Sequence, residues 1–231
     1  MFRAVILGAP GSGKGTISSR ITKTFNIQHI SSGDKLRMHI EKKTDLGKTA
    51  MKFINDGQLV PDKFMMKFMH RELASSGSIP WLLDGYPRTL PQAEALWTAY
   101  PFDVVINLIV PFEVIINRIK SRWIHLSSGR VYNVGFNEPK IPGKDDITGE
   151  PLEQREDDQP ASVKKRLMIY ENLTRPVIEF YRNKGILHDF KGNTSDEIWP
   201  EVQKLLHRYN QLKFIPELEK LRRDDSLNRG L

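Results

Sequence analysis

The stretch Gly8-Ala9-Pro10-Gly11-Ser12-Gly13-Lys14-Gly15-Thr16 limits most what this chain can fold into. Before it, residues 2–7 are a short apolar, β-branched run, the pattern of a buried strand. After it, Ile17, Ile21 and Phe25 recur four apart, which is helical spacing over residues 14–25. A Gly-rich turn between a strand and a helix is the setting of a P-loop. Its glycines let backbone N–H groups face one anion, and the helix N-terminus adds partial positive charge. A triphosphate is therefore expected along Gly11, Ser12, Gly13, Lys14, Gly15 and Thr16, with Lys14 reaching the β- and γ-phosphates. A ligand-free strand–helix turn would have no use for that lysine. One position departs from the general motif: Gly15 stands where a hydroxyl that holds Mg²⁺ directly is usual, and Thr16 follows it. That lowers the weight of a generic GTPase or ATPase.

Further strands are expected at 27–30, 80–83, 103–110 and 187–190, and helices at 62–74, 91–99, 112–121, 161–183 and 196–208. Strands alternating with helices predict an α/β fold, a five-stranded parallel sheet of P-loop NTPase type with helices on both faces. Two segments break the alternation. Residues 31–60 read as helical with no strand of their own. Residues 122–159 are dense in Gly, Pro, Asp, Asn and Ser, with short alternating stretches such as 130–133, and read as a small antiparallel insertion. The charged tail, 212–231, carries no identifiable chemistry.

Composition excludes several classes. With 39% apolar and 27% charged residues the chain reads as soluble and globular, and no apolar run is long enough to span a bilayer. Cysteine is absent, which rules out disulfides, a thiolate nucleophile and a cysteine zinc site. The net charge of +7 suits an anionic ligand, yet no Lys/Arg block resembles a nucleic-acid arm. No carboxylate precedes Asp34, whereas Arg3, Lys14, Arg20 and Lys23 do. Such a basic, acid-free segment fits a phosphate cradle, and it equally fits an import signal that stays uncleaved.

Asp84 ends the apolar strand at 80–83, which such a sheet sets beside the P-loop. A carboxylate there would hold Mg²⁺ through its water shell. Its context is Trp81-Leu82-Leu83-Asp84-Gly85-Tyr86-Pro87-Arg88-Thr89, and upstream stands Ser31-Ser32-Gly33-Asp34-Lys35-Leu36-Arg37. With the loop at 8–16, these segments resemble the signatures of the adenylate kinase family over residues 1 to about 210. The resemblance implies a nucleoside-monophosphate kinase with an AMP-binding insertion at 31–60 and a lid at 122–159. It places AMP against Ser32, Arg37, Gln58, Leu59, Val60, Gly85, Tyr86, Pro87, Arg88, Gln92, Arg155 and Arg166. It gives the donor nucleotide Arg118, Arg122, Tyr132, Asn133 and Ser195 besides the P-loop. Lys14, Arg88, Arg122, Arg155 and Arg166 would converge on the transferred phosphoryl group, since such a transfer rests on positioning and cationic stabilisation. His29, His39 and His70 are expected to be surface or packing residues.

Within the family, Arg122-Trp123-Ile124-His125, 128–133, 148–152 and Glu197-Ile198-Trp199-Pro200 are similar to the long-lid mitochondrial GTP:AMP phosphotransferases. The resemblance implies GTP as donor, Mg²⁺ with the triphosphate, a matrix location and a monomer. An ATP:AMP kinase and a cytoplasmic location stay open as alternatives, because main-chain groups can read either purine. Some relatives carry four lid cysteines that bind zinc. The matching positions here are His125, Ser128, Asp145 and Thr148, a poor zinc set but four groups able to exchange hydrogen bonds. A polar network and no structural metal is therefore expected. A non-catalytic P-loop regulator would not need the second anion site at Arg37, Arg88 and Gln92. An RNA-binding module would need stacking aromatics on a basic sheet.

Overall fold

The computed structural model describes residues 2–209, except Gly57, Phe136, Glu156, Asp157 and Gln159. The tail expected at 212–231 lies outside the described residues. Strand β1 (Arg3–Gly8) sends alternate side chains to opposite faces: Ala4 and Ile6 into one apolar cluster, Val5 and Leu7 into another. Two-sided burial explains why such a strand reads as continuously apolar. It pairs in parallel with β3 (Trp81–Asp84) and β4 (Val104–Ile109). Outside these lie β2 (Gln28–Ser31) and β7 (Leu187–Lys191), giving the order β2-β3-β1-β4-β7.

Parallel neighbours require crossovers, and helices supply them. Helix α1 (Lys14–Phe25), α6 (Phe112–Lys120), part of α7 (Pro160–Ile169) and the helix over 195–209 cover one face. Helices α2 (Ser32–Glu41), α3 (Asp45–Asn55), α4 (Asp62–Ser75), α5 (Leu90–Ala99) and α8 (Arg175–Asn183) cover the other. The chain leaves β1 for one side of the sheet and returns to the other side at β4. A crevice forms outside the carboxyl ends of the strands at such a reversal.

Two details differ from the sequence reading. Ser31 belongs to β2, where its hydroxyl also caps α2 by accepting from the Asp34 N–H at 3.3 Å. The long helix expected over 161–183 is interrupted by a π turn at Tyr170–Thr174. Pro176 sits in the first turn of α8 and has no N–H for the preceding ladder, which widens before it. The Thr174 hydroxyl donates to the Arg88 carbonyl at 3.0 Å, so the widened turn abuts the crevice. Strands β5 (Arg122–His125) and β6 (Arg130–Asn133) form a separate antiparallel hairpin. The chain after it is tied back by bridges pairing Ile124 with Glu153 and Lys144 with Pro151. No helix among the described residues is long and apolar enough to cross a membrane.

Candidate active site

A cleft of about 620 Å³ lies at the carboxyl ends of the strands. The P-loop forms its floor. Gly13 caps α1 in the left-handed region, φ 91°, and a Cβ there would come within 2.8 Å of the Ser195 hydroxyl. Helix α1 has no side-chain cap and no acidic residue in its first turn. Its first N–H groups and its dipole are thus available to an anion. Lys14 directs its ammonium to the carbonyls of Gly8 and Ala9, at 2.8 and 2.9 Å. Burial lowers its pKa to about 8; Asp84 opposes that shift, while Arg88, Arg166 and Arg122 add to it. The pocket therefore disfavours its own cation until negative charge enters.

Asp84 ends β3 at the cleft wall, nearly buried. Its Oδ2 lies 3.5 Å from His29 Nε2. Burial disfavours the imidazolium, but Asp84 first and Asp34 second outweigh it and hold His29 above its usual pKa. The sequence alone makes His29 a surface or packing residue. Strand register alone could have found it, because β2 pairs Ser31 with Asp84 and so brings His29 alongside. An oxygen donor this buried, whose nearby partner is an imidazole, suits a hydrated Mg²⁺. Among the described residues, no group of three or more His, Asp or Glu side chains is placed to hold a metal by itself.

Arg118, Arg122, Tyr132, Asn133 and Ser195 surround the P-loop end of the cleft. Arg118 donates to the carbonyls of Asn193 at 2.5 Å and Gly11 at 3.4 Å, and the Asn133 amide donates to the Arg118 carbonyl at 2.8 Å. Toward α2 and the turn after β3 the cleft is lined by Ser32, Arg37, Gln58, Leu59, Val60, Gly85, Pro87, Arg88 and Gln92. Gly85 has φ 77°, and a Cβ there would sit 2.8 Å from the Ser32 hydroxyl and 3.1 Å from Arg88 Nη2. Arg88 is held by Nε donating to the Gly85 carbonyl at 2.7 Å. Gln92 accepts from the Arg88 N–H and donates to Asp62, at 2.8 and 2.7 Å, leaving one amide hydrogen for a base. Thr89 also donates to Asp62, so this carboxylate fixes the turn. Ser12 and Tyr86 do not line the cleft. Ser12 turns beneath the loop, its N–H donating to the Ala9 carbonyl at 3.1 Å, and Tyr86 packs into the core, where burial pushes its phenol pKa up.

Arg155 and Arg166 line the same cleft as Arg122, and Arg166 and Arg122 both act on the Lys14 ammonium. Arg122 Nε donates to Asp158 Oδ2 at 2.7 Å and its Nη2 to Oδ1, while Arg166 donates to the same Oδ1 at 3.1 Å. Asp158 thus gathers two arginines. The sequence showed it only within the run 156–158, whose first two members lie outside the described residues.

The structure brings His125, Ser128, Asp145 and Thr148 together. His125 Nδ1 meets the Ser128 hydroxyl at 2.7 Å, and the Thr148 hydroxyl donates to Asp145 at 3.0 Å. Arg130, Tyr132 and Glu150, which the spacing did not reveal as partners, complete the cluster. Arg130 makes two bonds to Asp145, at 2.7 and 2.6 Å, the Tyr132 hydroxyl donates to it at 2.9 Å, and His125 Nε2 contacts Glu150. The Tyr132 hydroxyl also accepts from the Asp146 N–H at 2.9 Å, which ties it into this cluster. Arg130 lowers the Asp145 pKa most; burial opposes it, and the Thr148 N–H and Tyr132 add to the lowering. The folded carboxyl titrates below its ordinary value of 3.8, so its stabilisation is full above that pH and fades as pH falls below it. Asp145→Ala is expected to speed proteolysis of the hairpin roughly tenfold while the main melting transition stays within about 2 °C, because the hairpin is a peripheral unit. A hairpin as resistant as wild type would remove Asp145 from this role.

A parallel sheet with a P-loop at its switch point, facing a cleft with two cationic ends, defines a P-loop nucleoside-monophosphate kinase. Comparison with known proteins agrees. The adenylate kinase family model matches residues 6–186. The mitochondrial GTP:AMP phosphotransferase of Drosophila melanogaster is 54% identical over 207 residues, covering 90% of this chain and 96% of that protein. The protein of the same name from Saccharomyces cerevisiae is 43% identical over 215 residues, covering 89% and 92%. The chain belongs to the adenylate kinase family.

Proposed function

We propose that this chain transfers a phosphoryl group reversibly from GTP to AMP, giving GDP and ADP, as a monomer in the mitochondrial matrix. One observation carries the reading: a single cleft joins a P-loop ending in Lys14 to a second cationic end built from Arg37 and Arg88. A binder of one nucleotide has no need of the second end. The donor would lie with its phosphates along 11–16 and its base between Arg118 and the loop at 192–195. The monophosphate would lie between α2 and the turn at 85–88. The insertion at 31–60 would then be the AMP-binding part and that at 122–159 the lid.

Lys14, Arg122, Arg155 and Arg166 would surround the group in transit, where charge spreads over its equatorial oxygens. Closing the lid would expel water and strengthen each of these contacts. No side chain need become a covalent nucleophile. Asp84 would hold a hydrated Mg²⁺, which when bound neutralises charge between the β- and γ-phosphates. Zinc has no place in this scheme, nor has nucleic acid or a membrane.

The names of the two relatives support GTP over ATP. The donor end presents mostly main-chain groups and Arg118, which either purine can satisfy. A coupled assay with GTP, ITP or ATP as donor and AMP as acceptor decides the matter. Higher kcat/KM with GTP is expected. Equal or better turnover with ATP would make the protein an ATP:AMP kinase, and slow, near-stoichiometric turnover with every donor would make it a regulator.

A further inference from the structure

Asp34 joins the two insertions. Its Oδ1 contacts Arg37 Nη2 on its own helix and lies 3.9 Å from Arg155 Nη2, on the segment that follows the hairpin. Its Oδ2 faces the hairpin turn, where a Cβ placed on Gly129 would come within 3.4 Å. The carboxylate is fixed at its base, since the Asp34 N–H donates to the Ser31 hydroxyl. Burial disfavours its charge, but Arg37, Ser31 and Arg155 outweigh that and hold the carboxyl below its ordinary range. One oxygen thus faces two guanidinium groups from elements more than a hundred residues apart in sequence.

We infer that Asp34 is a positioning residue that holds Arg37 and Arg155 at the spacing of a shared anion and latches the lid tip onto the AMP-binding insertion. The inference rests on the proposed transfer to AMP for its catalytic consequence only. A carboxylate between two guanidiniums keeps both forks oriented and stops them repelling each other before phosphate arrives. An incoming phosphate then replaces the carboxylate on arginines already aimed, with less ordering left to do. The rival account gives Asp34 a local task, complementing the dipole in the first turn of α2. That account predicts a looser α2 and an unaltered hairpin.

The experiment compares wild type with Asp34→Asn by steady-state kinetics with GTP and AMP and by hydrogen exchange. We expect the AMP KM to rise about tenfold with kcat within about threefold, and the amides of 126–130 to exchange about tenfold faster. Exchange that quickens in α2 alone, or not at all, overturns the latch. So does an unchanged AMP KM in an enzyme whose wild type turns over. If wild type fails to phosphorylate AMP, the proposed function falls, and the exchange at 126–130 still decides the latch. A second pair of variants probes from the lid side and leaves α2 untouched. Gly129→Asp and Gly129→Asn both tolerate a positive φ, and only the first sets a like charge against Asp34. The Asp variant should loosen 126–130 more than the Asn variant, and the difference should vanish on Asp34→Asn. Equal effects of the two, or a difference that survives in that background, overturn it as well.

Discussion

Lys14→Met is expected to lower turnover by about 10³-fold or more and, at the same time, to raise the melting temperature of the nucleotide-free protein. The first effect follows from charge. The ammonium stands at the P-loop, where β- and γ-oxygens gain charge during transfer, and a preorganised cation there acts mainly on the transition state. The second follows from burial. Lys14 has a pKa of about 8 when folded against 10.5 in the unfolded chain. Between these values the unfolded chain holds a proton that the folded chain lacks. The lysine therefore costs stability in full below about pH 8, and the cost fades as pH rises toward 10.5. A shift of that size corresponds to roughly 3 kcal/mol at most. Contact with a water-filled cleft reduces it, and so do its two hydrogen bonds, leaving a gain of roughly 1 to 2 kcal/mol for methionine. GTP should raise the melting temperature of wild type and much less that of the variant. Turnover within tenfold of wild type would take Lys14 out of the reaction. A nucleotide-free variant that melts below wild type at pH 7 would show that the buried cation is not costly.

This opposition between function and stability was half visible in the sequence. A lysine behind three glycines at a strand–helix turn announces an anion site, since such a backbone has few other uses. The same holds for the sheet: the apolar runs and four-residue spacings along the chain are local properties, and α1 occupies the residues its spacing marked. The π turn at 170–174 was hidden because Pro176 reads equally as a kink or as a first-turn residue of a new helix. What no spacing could reveal is the set of carboxylates that hold the arginines. Asp158 reaches Arg122 from 36 positions away, and Asp34 reaches Arg155 from farther still. In sequence, Asp34 stands within the segment 31–37 and Asp158 within an acidic run, with nothing to name their partners. The cluster on the hairpin behaves likewise. Matching four positions to the cysteines of relatives suggested that four groups meet, whereas Arg130 and Glu150 entered only through the register of a hairpin and the turn facing it. The candidate cations are legible because they stand in motifs; their partners are a property of the folded chain.

Arg88→Ala is the variant that separates the two ends of the cleft. Most of the anchorage of the turn is independent of this side chain. Its N–H donates to Gln92, its carbonyl accepts from Thr174, and Thr89 and Gln92 both bind Asp62. The substitution should therefore leave the turn, β3 and the cleft shape in place, with a melting temperature within about 3 °C of wild type. What disappears is a guanidinium whose Nε is fixed on the Gly85 carbonyl and whose planar fork matches the geometry of a phosphate. Two charge-assisted bonds at roughly 1.5 to 3 kcal/mol each amount to a loss of about 10²- to 10⁴-fold in kcat/KM for AMP. The proposed donor site is the P-loop and not this turn, so the donor's dissociation constant should change by less than about threefold. Lys14→Met should show the converse pattern, with AMP binding preserved. Isothermal titration of each nucleotide against each variant checks both. Equal weakening of GTP and AMP by Arg88→Ala would mean that the two ends are one site, and the acceptor would have to be sought elsewhere on the chain.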